Sequence, residues 1–443
     1  MAVTRPTEAT IRSYNMGFGD CFLLSFKYPN RSRHVLIDFG SMSLPEKVDT
    51  RHYLERVAHQ IAKDCDGQLD AVVATHRHRD HISGFAIHGK GAKATGPGAI
   101  IRGLKPKVVI QPWTEDPKAK RNAEGPTAAK LASGTRPLTD SQATALYMHT
   151  LDGMHLTAEH VAAVAKRFPK GLFDDLGSLG MIAADNIKNP EAVENLRTMA
   201  RNEYVYFGGP SGLATVLPGV TTRVLGPPTL KQTRTILKQK YKDPNEFWHL
   251  NAAFWRRQAL TSRHFNSDSP PLFPHHIREH VPWAARWYRY YAMRERGESL
   301  LSIVRILDDA MNNTSVILLF QIGKTSLLFP GDAQYENWMY ALSQPGVLDL
   351  LKDVNVYKVG HHGSLNATPK SLWNGFRNRG PVRQHNRLVT LLSTKEGPHG
   401  NRAKRTEVPR RTLVTALRTE SDLTDTEDYS QTELVTARTL ALS

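Results

Sequence analysis

Residues 76–81 read His-Arg-His-Arg-Asp-His and follow directly on the apolar run Leu69-Asp70-Ala71-Val72-Val73-Ala74-Thr75. Four side chains able to ligate a metal therefore sit at the end of a candidate buried strand. His76 and His78, two apart in an extended turn, direct both imidazoles to one side, while Asp80 and His81 swing toward a second position close by. Two metal ions are the natural occupants. A solvated basic loop that happened to carry three histidines would need neither Asp80 between them nor the turn at Gly84 after them.

One loop cannot surround two ions, so a dinuclear centre needs a carboxylate and a closing histidine from elsewhere in the chain. Asp332 ends the run Leu327-Leu328-Phe329-Pro330-Gly331-Asp332, and His361-His362-Gly363-Ser364 follows the apolar segment 354–359. Alone, each is unremarkable: a strand-end aspartate often caps a helix, and paired histidines usually lie on a surface. Their position after two apolar strand candidates, in a chain that already holds the 76–81 motif, makes them the expected partners.

The elements that must position these groups alternate between strand and helix, which implies a layered α/β core. Segments 22–26 and 34–40 read as a hairpin closed by Tyr28-Pro29-Asn30-Arg31. Val48, Tyr53, Leu54, Val57 and Ile61 recur at helical spacing over 47–65; the metal-motif strand comes next, then a short helix from Ile82. Further strands are expected at 107–111, 204–207, 222–225, 354–359 and 387–392, with a hairpin of 314–322 and 325–329 across Gly323-Lys324. Helices are expected at 158–168, 191–201, 335–342, 369–376 and 408–417. The organisation expected is one catalytic domain over 1–419, with large insertions near 112–203 and 229–300, followed by a loosely held acidic tail at 420–443.

The chain has 443 residues, long enough for a large core, with 58 Lys and Arg against 42 Asp and Glu, a net charge of +16 that favours polyanionic partners. Residues 370–411 carry eleven basic and two acidic side chains, a local balance of +9. In 231–300 thirteen basic residues accompany twelve aromatics, among them Arg256, Arg257, Arg286 and Arg289 interleaved with Phe254, Trp255, Trp283, Trp287 and Tyr288. That mixture suits stacked bases and neutralised phosphates, although Trp283, Trp287 and Tyr290 also recur at the spacing of a helical core. With only Cys21 and Cys65, and no apolar export segment in 1–10, a disulfide framework and a signal peptide are not expected, and the cytoplasm is the expected location. No apolar stretch is long enough to cross a bilayer.

The motifs together resemble the metallo-β-lactamase superfamily, and within it the hydrolase domain of ComEC-type competence proteins and their soluble relatives. The resemblance rests on Gly17-Phe18-Gly19-Asp20, Ile37-Asp38-Phe39-Gly40, the 76–81 motif, Asn312-Asn313-Thr314-Ser315-Val316, Phe329-Pro330-Gly331-Asp332-Ala333 and Lys358-Val359-Gly360-His361-His362-Gly363-Ser364. It implies a four-layer αββα sandwich with large helical insertions. It further implies that His76 and His78 hold one ion, that Asp80 and His81 hold the other, that Asp332 bridges, and that either His361 or His362 completes the second site. Asp38 is the expected hydrogen-bonding support for a ligand histidine. The member of the 361/362 pair that does not bind metal becomes a candidate proton donor. His399 lies where relatives carry a histidine near the cleft. Many members have a further histidine ahead of the strand pair leading to the bridging aspartate, where this chain has Asn312 and Asn313; an amide oxygen or water there hardens the site. The expected cofactors are two divalent ions, zinc or manganese, with magnesium also admissible.

Hydroxide held between two such ions attacks a phosphodiester without a covalent enzyme intermediate. The activity expected is a metal-dependent phosphodiesterase, a nuclease on DNA rather than RNA. Arg77 and Arg79 either clamp a phosphate at the mouth or point into solvent. Two alternatives stay open: a small-molecule esterase of the same fold acting on a phosphodiester, lactone or thioester, and a partner-regulated effector or nucleic-acid-binding subunit with a vestigial site. The insertions and the acidic tail offer surfaces for a protein partner.

Overall fold

A computed structural model describes residues 4–46, 48–89, 94–116, 189–233, 312–364, 367–384, 386–397, 407–430 and 432–442. All of them belong to one compact unit. The helix expected at 158–168, most of both insertions, Arg256, Arg257, Arg286, Arg289 and His399 lie outside the described residues.

Strands β1 (Glu8–Tyr14), β2 (Cys21–Lys27), β3 (Ser32–Phe39), β4 (Ala71–Val73), β5 (Val108–Pro112) and β6 (Arg201–Val205) lie side by side in chain order in one sheet. The first three are antiparallel, and β3 to β6 run parallel. The second sheet follows the same plan. Strands β7 (Thr221–Gly226), β8 (Ile317–Ile322) and β9 (Thr325–Phe329) are antiparallel, while β10 (Val356–Lys358), β11 (Val389–Leu392) and β12 (Asp422–Asp425) continue parallel to β9. The architecture is mixed α/β.

Side chains alternate across each strand, so every central strand feeds two apolar clusters. Leu318 and Phe320 of β8 join Phe22, Val35, Val73 and Val108 of the first sheet in a cluster common to both sheets. Ile317 and Leu319, one residue out of phase, pack instead with Trp338 of α5 (Tyr335–Ser343), Leu351 of α6 (Val347–Leu351), Trp373 of α7 (Lys370–Gly375) and Leu417 of α8 (Arg411–Glu420). The other face of the first sheet, through Leu23, Leu36, Val72 and Val109, meets Val57 and Ile61 of α1 (Tyr53–Asp64), Ile101 of α3 (Pro97–Gly103) and Leu196 of α4 (Pro190–Thr198). The short helix α2 (Arg79–Ile82) carries the second half of the histidine motif. Among the described residues no helix is long and apolar enough to cross a membrane.

Three expectations are corrected. Strand β1 was not anticipated, because its inward residues Ala9, Ile11 and Ser13 alternate with polar ones and give only a faint apolar signal. Residues 201–203 continue strand β6 where a helix was expected to run on to 201, so α4 and β6 belong to the core and not to an insertion. Residues 420–443 are not a loose tail. They supply β12 and the edge strand β13 (Val435–Ala441), which pairs with β1 from Glu8↔Ala441 to Tyr14↔Val435. Net charge misled here, because the acids are neutralised within the fold: Arg418 meets Asp428 at 3.0 Å and Asp425 at 3.3 Å, and Arg438 meets Asp422 at 3.4 Å.

Asp425 carries a pH dependence. Burial, reinforced by Glu427 and Asp428, pushes its carboxyl pKa up to about 7 despite Arg418 beside it. The native state therefore retains a proton that the unfolded chain releases near pH 4, and stability is lost as pH rises between those values. Asp425→Asn is expected to stabilise the fold on the order of 2 kcal/mol at pH 8 and hardly at all at pH 4. Thermal melts at the two pH values check this; equal shifts would refute it.

Candidate metal centre

The site forms where several strands end. The backbone leaves β4 and reaches His76 and His78, then enters α2, which turns Asp80 and His81 inward. Asp38 is the penultimate residue of β3, Asp332 follows β9, and His361 and His362 follow β10. β3 and β4 run parallel in one sheet, and β9 and β10 run parallel in the other. Carboxyl ends of parallel strands are where α/β folds gather their ligands.

Two buried groups converge there. Asp80, His81, Asp332 and His362 each present a ligand atom within 4.8 Å of the others, and so do His76, His78 and Asp80, which makes Asp80 the shared member. His81 Nε2 lies 3.1 Å from Asp332 Oδ2 and 3.7 Å from Asp80 Oδ1. His362 Nε2 lies 2.8 Å from Asp80 Oδ2 and 3.6 Å from Asp332 Oδ2. In the other group His76 Nε2 faces His78 Nδ1 at 3.0 Å. The resemblance implies Asp332 as the bridge between ions; by proximity of ligand atoms it belongs to the His81–His362 group.

The tautomers suit metal ligation. His362 Nδ1 donates to the Ser393 carbonyl at 2.9 Å, and His81 Nδ1 donates to Asp38 Oδ2 at 2.8 Å, so each Nε2 is turned toward the carboxylates. His81 Nε2 is buried with no aligned hydrogen-bond acceptor, although two carboxylates flank it. A donor set of imidazole nitrogens and carboxylate oxygens fits zinc or manganese. These residues could hold metal ions.

Burial and the neighbouring imidazoles push His76 down, and burial pushes His78 down to about 4, so both rings are neutral and ready to ligate. Burial alone would raise Asp80 and Asp332. His81 and His362 hold both well below the usual carboxylate range, with Lys358 adding to the effect on Asp332. The same attraction outweighs burial at His81 and His362, which are raised.

Of the two candidate closing histidines, His362 joins the cluster. His361 does not: its Nδ1 meets Ser364 Oγ at 2.9 Å, its Nε2 receives Asn312 Nδ2 at 3.4 Å, and its backbone N donates to Asp332 Oδ1 at 3.0 Å. Both residues have φ near +50°, an uncommon left-handed pair outside glycine that turns consecutive side chains to different partners. Asn313 donates to Glu336 at 3.0 Å. Asp38 takes the supporting position expected of it and also accepts from Thr75 N and Thr75 Oγ1, both at 2.7 Å. Arg77 Nε lies 3.5 Å from Glu115, and Arg79 is exposed without an ion pair to any described residue.

Sequence reasoning missed Lys358 and Asp20 as members of the cluster and Ser393 as the orienting carbonyl. The available signal was a lysine inside the apolar strand run Val-Tyr-Lys-Val, since a buried lysine requires a partner. Compared with known proteins, the chain matches no protein-family model, and no curated protein matches it.

Proposed function

We propose that this chain is a metal-dependent phosphodiester hydrolase of the metallo-β-lactamase superfamily that acts on DNA. The observation that carries the reading is the pair of buried His/Asp groups that share Asp80. Three apolar clusters, one between the sheets and one on the outer face of each, support the four-layer αββα arrangement. The net charge of +16 and the exposed Arg79, between ligands His78 and Asp80, support a polyanionic substrate.

Two divalent cations held by these residues would supply Lewis acidity toward a phosphoryl oxygen and a water of lowered pKa. His76, His78 and Asp80 would hold one, and Asp80, His81, Asp332 and His362 the other. Asp38 and the Ser393 carbonyl keep the His81 and His362 rings in the ligating orientation. His361, outside both groups, would deliver a proton to the leaving oxygen only in its protonated form, which burial disfavours.

The test is incubation of metal-stripped protein with linear and circular DNA, with manganese, magnesium or zinc restored, beside His78→Ala. Hydrolysis should return with an ion and fall at least a hundredfold in the variant, about 3 kcal/mol of lost transition-state stabilisation. Equal degradation by both proteins would mean contamination and end the proposal. Turnover of a chromogenic phosphodiester but not of DNA would favour a small-molecule esterase. Salt-sensitive DNA binding without cleavage under any ion would favour a binding module.

A further inference from the structure

The cluster contains a cation of its own. Lys358, the last residue of β10, is 2% exposed; its ammonium pairs with Asp20, lies 3.3 Å from Asp332 Oδ1 and donates to the Gly331 carbonyl at 3.1 Å. Asp20 is itself buried, 3.8 Å from His81 Nδ1 and 3.7 Å from His362 Nδ1. With Asp38 and His81 it forms a third group whose spacing would admit an ion. That group is filled from within the chain. Lys358 takes Asp20, and the Asp38 oxygens accept from Thr75 N, Thr75 Oγ1 and His81 Nδ1.

The same lysine divides the two oxygens of Asp332. Oδ1 receives the Lys358 ammonium and the His361 backbone N–H, whereas Oδ2 faces His81 at 3.1 Å and His362 at 3.6 Å. A carboxylate free to rotate would offer a metal either oxygen or both. One anchored through Oδ1 offers Oδ2 alone.

We propose that Lys358 is a positioning residue of the metal centre: it occupies the third carboxylate nest in place of an ion and turns Asp332 so that a single oxygen faces the metals. This rests on the metal-centre reading above. A lysine that merely held the fold together would affect stability and leave ion binding alone, so the decisive readouts are ion count, affinity and spectrum.

Metal-free wild type and Lys358→Met are titrated with manganese against a competing chelator, bound ions are counted by elemental analysis, and electron paramagnetic resonance spectra are recorded. Wild type should hold two ions with the spectrum of a coupled pair. Lys358→Met should bind them roughly ten- to a hundredfold more weakly with altered coupling, the range seen when groups supporting metal ligands are removed, or should take up a third ion at Asp20. Two ions bound at unchanged affinity with an unchanged spectrum, even in a less heat-stable variant, would overturn the proposal. Should Lys358→Met fail to give a native near-ultraviolet dichroism spectrum, Lys358→Met/Asp20→Asn, which removes the uncompensated carboxylate, is read by the same criteria. Failure of both to fold would assign Lys358 to the fold and overturn the proposal. Wild type that binds no manganese would instead remove the metal-centre reading itself.

Discussion

Asp332→Ala is expected to lower phosphodiester turnover about a thousandfold or more and to leave at most one ion bound per chain. The side chain faces two imidazoles of a fully buried group, and among the described carboxylates in that group only Asp80 would remain. A metal-assisted hydrolysis draws several kcal/mol of transition-state stabilisation from correctly held ions, and about 4 kcal/mol corresponds to the thousandfold loss. The fold should survive, because Lys358 keeps Asp20 as its partner when Asp332 is truncated. Elemental analysis together with plasmid nicking measures both effects on one preparation. A variant that retained two ions and wild-type turnover would remove Asp332 from the centre.

Gly40→Ala is expected to damage the centre without touching a ligand. A methyl group there would lie 2.6 Å from Arg79 O, Asp80 C and His81 N, all backbone atoms of the ligand-bearing turn. That turn has no room to retreat: Asp20 N donates to Asp80 O at 3.0 Å, and Gly40 N donates to Asp20 O at 3.1 Å. Three backbone segments thus stack through bare glycine, bringing Asp20, Asp38, Asp80 and His81 together. Forcing them apart should destabilise the protein by about 2 kcal/mol or more, in the range of overpacked interiors, and weaken metal binding at least tenfold. Gly103→Ala, where nothing lies within 4 Å, is the matched control and should be nearly neutral. Melting curves with and without added ion compare the two. Indistinguishable behaviour of Gly40→Ala and Gly103→Ala would show that the stack has no role.

Local patterns in the chain carried much of this picture and failed where the deciding contact was distant. Strands β8 to β11 of the second sheet were readable because apolar runs such as Leu327-Leu328-Phe329 are buried on both faces and need no partner to be recognised, whereas the polar β12 was hidden in the expected acidic tail. Strands β1 and β13 were not, since an edge pair with one half-covered face spreads its apolar residues too thinly. The acids of 420–428 looked like solvated tail because residue types do not show that Arg418 of α8 and Arg438 of β13 fold back onto them.

The 76–81 motif could be read directly because its four ligand candidates share one short backbone segment, whose local conformation alone brings them close. Which distant groups meet them was decided by the packing of two sheets: His362 reaches Asp80 across 282 positions of chain, and Lys358 finds Asp20 in the other sheet's entry loop. The choice between His361 and His362 likewise depended on left-handed backbone at both positions and on the Ser393 carbonyl, a group every residue possesses and no residue type can signal. Residue identity and short spacing determine chemical capacity; long-range burial, which sets the partners and the charge each group carries, exists only once the chain has folded.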